Sequence, residues 1–273
     1  MCALLNSMEC LQTGEIFLKN LFSVEGKVAL VTGGSRGIGL MIARGFVENG
    51  VRTYISSRKA DVCDNVAAEL SEHGTCISLP ADLSSQDGIE KLAAEFGERE
   101  NSLNILVNNA GAAWGAPFDD FPEAGWDKVM DLNVKSPFFL TQALIKKLEA
   151  AASAEDPARI INTGSIDGIG SPFLETYSYP ASKAAIHQLS RVMANRLASR
   201  NINVNAIAPG LFPSEMTGYM LENHEEQIKA GIPRGRVGTP EDMAGVAIYL
   251  SSRASAFVTG VVIPVDGGSL VAR

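Results

Sequence analysis

Ser165, Tyr179 and Lys183 bring a hydroxyl, a phenol and an ammonium into one short stretch, the groups needed to hand a proton to a carbonyl oxygen. They lie in Ile161 to Ser165 (INTGS) and Ser178 to Lys183 (SYPASK). Tyr179 and Lys183 stand four residues apart, so on a helix they share one face. A cation beside a phenol is expected to lower its pKa toward working pH and make it a usable acid. An isolated Tyr-x-x-x-Lys pair is an ordinary surface feature of most proteins, so the surroundings decide. Tyr177 is the competing phenol, but four residues onward it meets Ala181 and lacks the cation.

A cofactor must lie beside such an acid, and the elements that would hold it begin near residue 27. Lys27 to Thr32 (KVALVT) reads as a short buried strand and runs directly into Gly33, Gly34, Ser35, Arg36, Gly37, Ile38 and Gly39, with a helix following. Glycines at 33, 37 and 39 allow a tight turn and close backbone approach, and a helix starting there aims N–H groups at a phosphate. The spacing differs from G-x-G-x-x-G, and its place between strand and helix is what makes it a pyrophosphate cradle. In dinucleotide folds an acidic residue about 20 positions onward accepts hydrogen bonds from the adenosine ribose. Here that place holds Ser56, Ser57 and Arg58, which suit a 2′-phosphate, and Arg36 adds a second cation. NADPH is therefore expected over NADH. Asp61 would restore NAD preference only if the turn were shorter than placed.

Seven β-rich runs recur along the chain: Val28 to Thr32, Thr53 to Ser56, Cys76 to Leu79, Ile105 to Asn108, Arg159 to Thr163, Ile202 to Ile207 and Val261 to Val265. Helical stretches separate them. Strands this apolar, alternating with helices, predict a single doubly wound, Rossmann-type α/β domain: a seven-stranded, mainly parallel sheet with helices on both faces. Ligands then bind beyond the carboxyl ends of the strands, where every motif above falls. The chain has 273 residues, 46% of them apolar and 20% charged, ample for one core.

With Asn108, Asn109, Ala110 and Gly111 after the fourth run, Asn133 after Met130 to Leu132, Pro209-Gly210, and Asp266 to Gly268, the sequence resembles the short-chain dehydrogenase/reductase family from about Val24 onward. Within it, the chain is similar to the 3-oxoacyl-ACP reductase group. The resemblance implies hydride transfer between nicotinamide and a carbonyl, with Asn133, Ser165, Tyr179 and Lys183 as catalytic residues. Ser165 would bond the substrate oxygen, Tyr179 deliver the proton and Lys183 bind the nicotinamide ribose. The cofactor residues implied are Gly33, Ser35, Arg36, Gly37, Ile38, Gly39, Ser57, Arg58, Asp82, Leu83, Asn109, Ala110, Gly111, Tyr179, Lys183, Pro209, Gly210 and Phe212. Asp82 matches an adenine contact; its other reading is a cap for the turn at Ser84 and Ser85. Asn133 holds a relay water in the family, and Pro137 supplies a local reason. In a helix running Trp126 to Leu148 a proline there denies the Asn133 carbonyl its partner, unless the helix starts near Leu132.

The segment Leu211 to Ile232 corresponds to the family's substrate lid. Phe212, Met216, Tyr219, Met220 and Leu221 would give it an apolar side and Glu222 to Glu226 a wet one; Trp114 would line the same pocket. A greasy 3-oxoacyl substrate fits that pattern, and a helix packed on its own protein fits it too. Other readings are a dehydrogenase of a sugar, polyol or small alcohol, or a nucleotide sensor without turnover. Arg200 matches a carrier-protein contact of the reductase group whereas Asp156 occupies another, which puts carrier delivery in doubt. A symmetric homotetramer is expected from the family, with Ala185, Leu189, Val192, Met193 and Arg196 as one stripe and Ile186, Ser190 and Leu197 as part of a second face.

A net charge of −8 argues against nucleic acid as a partner. Cys2, Cys10, Cys63 and Cys76 form no C-x-x-C pair, and His73, His187 and His224 lie in separate segments, so free thiols in a reducing, cytoplasmic setting and no metal site are expected. Residues 1–23 read as an extension preceding the domain at 24–273. Glu9, Glu15 and Lys19 interrupt any membrane span, and the stretch has neither a signal peptide's basic start nor a transit peptide's arginines; Met8 is an alternative start.

Overall fold

In the computed structural model the description covers residues 20–172, 174–214 and 217–272. Most of the extension, with Cys2 and Cys10, and Met216 lie outside it, as do the side chains of Tyr219, Met220, Leu221, Glu222 and His224.

The strands are β1 (Val28–Thr32), β2 (Arg52–Ser56), β3 (Cys76–Ser78), β4 (Ile105–Asn108), β5 (Ala158–Thr163), β6 (Ile202–Pro209) and β7 (Val262–Val265). They pair in the order β3-β2-β1-β4-β5-β6-β7, and every pairing is parallel. Helices α1 (Gly37–Glu48), α2 (Ala60–Leu70), α3 (Gln86–Arg99), α4 (Glu123–Met130), α5 (Ser136–Ala151), α6 (Ser178–Leu197), α7 (Gly218–Ala230) and α8 (Pro240–Ser251) alternate with them.

Because successive residues of a strand face opposite ways, each buried strand feeds two cores. Val31, Ile55, Val107, Ile161 and Ile207 pack with Ile42 and Phe46 of α1, Leu70 of α2 and Met243 and Leu250 of α8. Leu30, Tyr54, Leu106, Ile160 and Val204 pack on the other face with Leu92 and Phe96 of α3, Leu140 and Leu144 of α5, and Met193 of α6. Both layers are needed to bury a sheet this apolar, and together they fix the strand ends that build the site.

The helix expected over Trp126 to Leu148 is interrupted in a way the sequence pattern hides. It begins at Glu123, widens into a π turn over Asp131–Lys135, and continues from Ser136 to Ala151 with Pro137 in the first turn of α5. The Ser136 N–H donates to the carbonyl of Asp131, five residues back. Proline is tolerated here because the helix has already loosened around it.

The two stripes expected on α6 are divided differently in the structure. Ile186, Ser190, Met193 and Ala194 face the sheet, while Leu189, Val192, Arg196 and Leu197 line a groove against Phe138, Thr141 and Ile145 of α5. Val192 is 48% exposed and Phe138 39%.

Candidate active site

At the carboxyl ends of β1, β2, β4, β5 and β6 a single cleft of about 780 Å³ opens. One wall is the loop between β1 and α1. Gly33 and Gly37 have φ of +65° and +51°, left-handed values that a side chain would strain. A Cβ at Gly39 would collide with the Gly33 carbonyl and with Asn109 Nδ2. The loop is tied to β4 from outside: Thr32 Oγ1 accepts from the N–H groups of Asn109 at 2.9 Å and Ala110 at 3.0 Å, and Asn109 Nδ2 donates to the carbonyls of Thr32 and Gly33. Asn109 thus braces the loop as well as lining the cleft.

Ser57 and the exposed Arg58 lie on the cleft beyond β2, and Arg36 lines the same cleft. Asp61, the residue that would have argued for NAD, falls in the first turn of α2 and does not line the cleft. Leu83 lines it, whereas Asp82 is turned into its own loop, accepting from the Ser84 N–H at 3.0 Å and Ser84 Oγ at 2.8 Å. Burial pushes that carboxyl's pKa up, but the Ser84 bonds and the Arg58 charge outweigh it and hold it below its ordinary value. Ser85, not Asp82, caps α3, accepting from the Gly88 N–H. Two hydroxyls buried in the cleft wall, Ser56 and Thr163, have no hydrogen-bond partner within the described protein. Orphaned hydroxyls beside a glycine cradle and two cations fit a phosphorylated dinucleotide.

The opposite wall carries the reactive groups. Tyr179 and Lys183 project from the first turns of α6, and Ser165 follows β5 at the start of the 3₁₀ turn Ile166–Gly168. Ser165 Oγ accepts from the Asp167 N–H at 3.1 Å and lies near enough to the Tyr179 phenol to act on its pKa. The lowered phenol pKa expected from Lys183 is not what this structure shows. Burial raises the Tyr179 pKa above its ordinary value, the Ser165 hydroxyl partly offsets that, and the Asp167 charge adds to it. The reason is where the ammonium goes. Lys183 Nζ donates to the Thr163 carbonyl at 2.7 Å and lies 5.5 Å from the centre of the Tyr179 ring, and burial brings its own pKa down to about 8.

Tyr177 is remote from this chemistry. Its hydroxyl donates to Glu175 Oε1 at 2.9 Å, and its ring packs edge-on against Phe118 and Phe121. Asn133, 3% exposed within the π turn, spends its side chain on structure: Oδ1 accepts from the Ala112 N–H at 2.8 Å, and Nδ2 donates to the Ala112 carbonyl and Ser182 Oγ, both at 2.9 Å. It therefore staples the loop after β4 to α6.

Pro209, Gly210 and Phe212 close the floor. Phe212 belongs to the core rather than to a lid face, since it is 3% exposed and its ring fills the space above Gly238. Trp114 does not line the cleft; it packs on Gly125 with Lys128 Nζ 5.3 Å from its ring. Ser214 and Thr217 line it unforeseen, their hydroxyls 3.0 Å apart, and Ser214 lies against Gly37. Lys128 and Leu132 line it too. Small polar residues just after Pro-Gly were the only available signal for the first pair.

Arg200 and Asp156, the positions compared with carrier contacts, are both engaged elsewhere. Arg200 Nε bonds Glu149 at 2.7 Å, and Asp156 pairs with Lys27 at 2.7 Å and with Arg159. No helix among the described residues is long and apolar enough to cross a membrane.

The family model described as enoyl-(acyl carrier protein) reductase matches residues 33–269. The chain is 52% identical over 249 residues to the rhamnolipids biosynthesis 3-oxoacyl-(acyl-carrier-protein) reductase of Pseudomonas aeruginosa, covering 90% of this chain and 97% of that protein. It is 36% identical over 281 residues to the short-chain dehydrogenase/reductase PhomF of Diaporthe leptostromiformis, covering 94% and 96%. The solved Pseudomonas aeruginosa RhlG/NADP active-site complex aligns with a TM-score of 0.90 at 50% identity, over 93% of this chain and 100% of that one. With a cradle, a bracing asparagine and a serine–tyrosine–lysine wall on one cleft, and relatives matching nearly end to end, the chain belongs to the short-chain dehydrogenase/reductase family.

Proposed function

We propose that the protein is an NADPH-dependent oxidoreductase that reduces the ketone of an apolar substrate, a 3-oxoacyl thioester or a close analogue, to a secondary alcohol. The observation that carries this reading is that Ser165, Tyr179 and Lys183 line one wall of the same cleft, with the Ser165 hydroxyl near enough to the Tyr179 phenol to act on its pKa, so that one substrate oxygen can meet both hydroxyls. The relatives' names support the acyl chemistry, and the NADP complex of the aligned structure supports the cofactor.

Each residue's part follows from its surroundings. Bound nicotinamide would supply the hydride. Ser165 donates to the carbonyl oxygen, and Tyr179 gives its proton as charge develops there. A phenol with a raised pKa is fully protonated at neutral pH, the state an acid needs. Lys183 secures the Thr163 carbonyl and stands ready for the ribose. The cradle takes the pyrophosphate, and Arg36 and Arg58 take the 2′-phosphate.

Residues 24–273 form the catalytic domain in this reading, and it works in the cytoplasm, where the buried thiols of Cys63 and Cys76 remain free. Copies associate as a tetramer, with the apolar groove between α5 and α6 as one contact face. Light scattering at micromolar protein should find the tetramer, and a stable monomer would exclude it. Following NADPH absorbance across ketones and 3-oxoacyl thioesters tests the activity. Turnover of sugars or polyols alone would overturn the substrate class.

A further inference from the structure

We infer that His187 is a positioning residue for Ser165, fastening the segment that bears the hydroxyl to the helix that bears the phenol. This rests on the reading of Ser165 and Tyr179 as the two donors to the substrate oxygen.

Tyr179, Lys183 and His187 follow one another at intervals of four residues, so they form a single stripe along α6. The third member lies beneath the active site and is 3% exposed. Its Nε2 accepts from the Ser165 N–H at 3.4 Å, and the ring also hydrogen-bonds the Gly168 backbone. It thereby holds the segment that leads into the 3₁₀ turn Ile166–Gly168 against α6. Two glycines make room for this grip. A Cβ at Gly164 would fall on the imidazole, and one at Gly168 would come within 2.5 Å of the Lys183 carbonyl carbon and 2.6 Å of the Ala184 nitrogen. The turn therefore lies flush on α6, and the ring fills the place a side chain at 164 would have taken.

Only a neutral imidazole can accept from an N–H group. The charged groups that act on it are Lys183 and Arg191, both on its own helix. Burial, with the two cations adding to it, brings the ring's pKa down to about 4. The acceptor is thus available at neutral pH, and the Ser165 backbone has one fixed partner. Losing it would let Ser165 drift relative to Tyr179, and misplacement of about 1 Å at a reacting centre can cost about a hundredfold in rate.

The test compares His187→Gln, whose amide reaches the place of Nε2, with His187→Asn and His187→Leu, which do not. Leu and Asn variants should lose about ten- to a hundredfold in kcat while the Kd for NADPH stays within about twofold. His187→Gln should recover most of the loss. In a Ser165→Ala background, His187→Leu should cost nothing further, because the partner it positions is gone. A full kcat in the Asn and Leu variants beside a crippled Ser165→Ala would overturn the inference alone. So would equal losses from His187→Leu with and without Ser165. A fully active Ser165→Ala would instead remove the reading of the site on which the inference depends. If His187→Leu fails to fold, as its melting curve would show, the contrast between Asn and Gln decides.

Discussion

The two walls of the cleft are made by opposite means. The wall from β1 to α1 presents backbone: a side chain would strike Asn109 at Gly33, the Gly33 carbonyl and Asn109 at Gly39, and would strain the left-handed backbone at Gly37, and its grip on a phosphate comes from N–H groups. The wall from β5 to α6 presents polar side chains, with Ser165, Lys183 and His187 buried and held by specific partners and Tyr179 half-buried at the cleft. Substitutions on the first wall should therefore change binding, and substitutions on the second should change rate. The difference also shows where stability is sacrificed. A glycine loop costs chain entropy, whereas a buried ammonium with one carbonyl partner costs desolvation.

The rate wall should break most severely at the acid. Tyr179→Phe should lower kcat by about 10² to 10⁴ with the Kd for NADPH nearly unchanged. Tyr177→Phe should be mild, because that hydroxyl serves Glu175 at the surface. If the two variants lost similar activity, Tyr179 would not be the acid.

Lys183 tests the same wall through pH. Its folded pKa, about 8, lies below the ordinary lysine value of 10.5, so between those values the unfolded chain binds more protons than the folded one. This group therefore makes stability rise as pH climbs from about 8 toward 10.5 and contributes its full penalty below 8. Lys183→Met should abolish most activity yet raise Tm at pH 7, by roughly 2–4 °C for each kcal/mol relieved, with the gain shrinking at alkaline pH. A lower Tm at pH 7 would mean that the Thr163 contact outweighs the buried charge.

On the binding wall, Gly39→Ala should weaken NADPH by about ten- to a hundredfold, the effect of roughly 1–3 kcal/mol of overpacking. The kcat at saturating cofactor should remain near wild type. A fall in kcat with unaltered affinity would erase the distinction between the walls. Calorimetric Kd values beside steady-state rates make the comparison.

Much of this arrangement was legible because it depends on residue type at a strand end. The apolar runs gave each strand to within about two residues, since a sheet buried on both faces leaves little choice of pattern. The glycine loop and the Ser165, Tyr179 and Lys183 set were legible for the same reason. What escaped depends on long-range contact. His187 gains its meaning only against Gly164 and Ser165, more than twenty residues earlier in the chain. The π turn at Asp131–Lys135 adds one residue to a helical ring, a change too small to disturb the apolar period. Spacing on α6 places Lys183 beside Tyr179, as the structure does, but cannot show that its ammonium bonds the Thr163 carbonyl. Ser214 and Thr217 lie in a segment whose residue types specify no backbone course.

At the edge of the binding wall, Arg58 separates the cofactors rather than determining whether either binds. NADPH should bind at least about tenfold more tightly than NADH, a difference of about 1.4 kcal/mol. Arg58→Asp should weaken or reverse that preference, chiefly through NADPH. Equal affinities in the unaltered protein would sink the assignment of Arg36 and Arg58 to the 2′-phosphate.

The smallest expected effect is at Pro137. The π turn puts this proline in the first turn of α5, so replacing it brings less than the roughly 3 kcal/mol of an interior site. Alanine there adds an N–H that can claim the Asn133 carbonyl in an α-helical bond or the Leu132 carbonyl in a π bond. The first choice would tighten the turn and pull on the Asn133 side chain, which staples Ala112 to Ser182. We expect Pro137→Ala to hold or gain stability, to lose a few-fold in kcat, and to leave the NADPH Kd unchanged. Activity and stability would then move apart at a residue that lines neither wall. An unchanged kcat at saturating NADPH across a pH series would show that the turn keeps its π form without the proline and that the Asn133 staple is undisturbed.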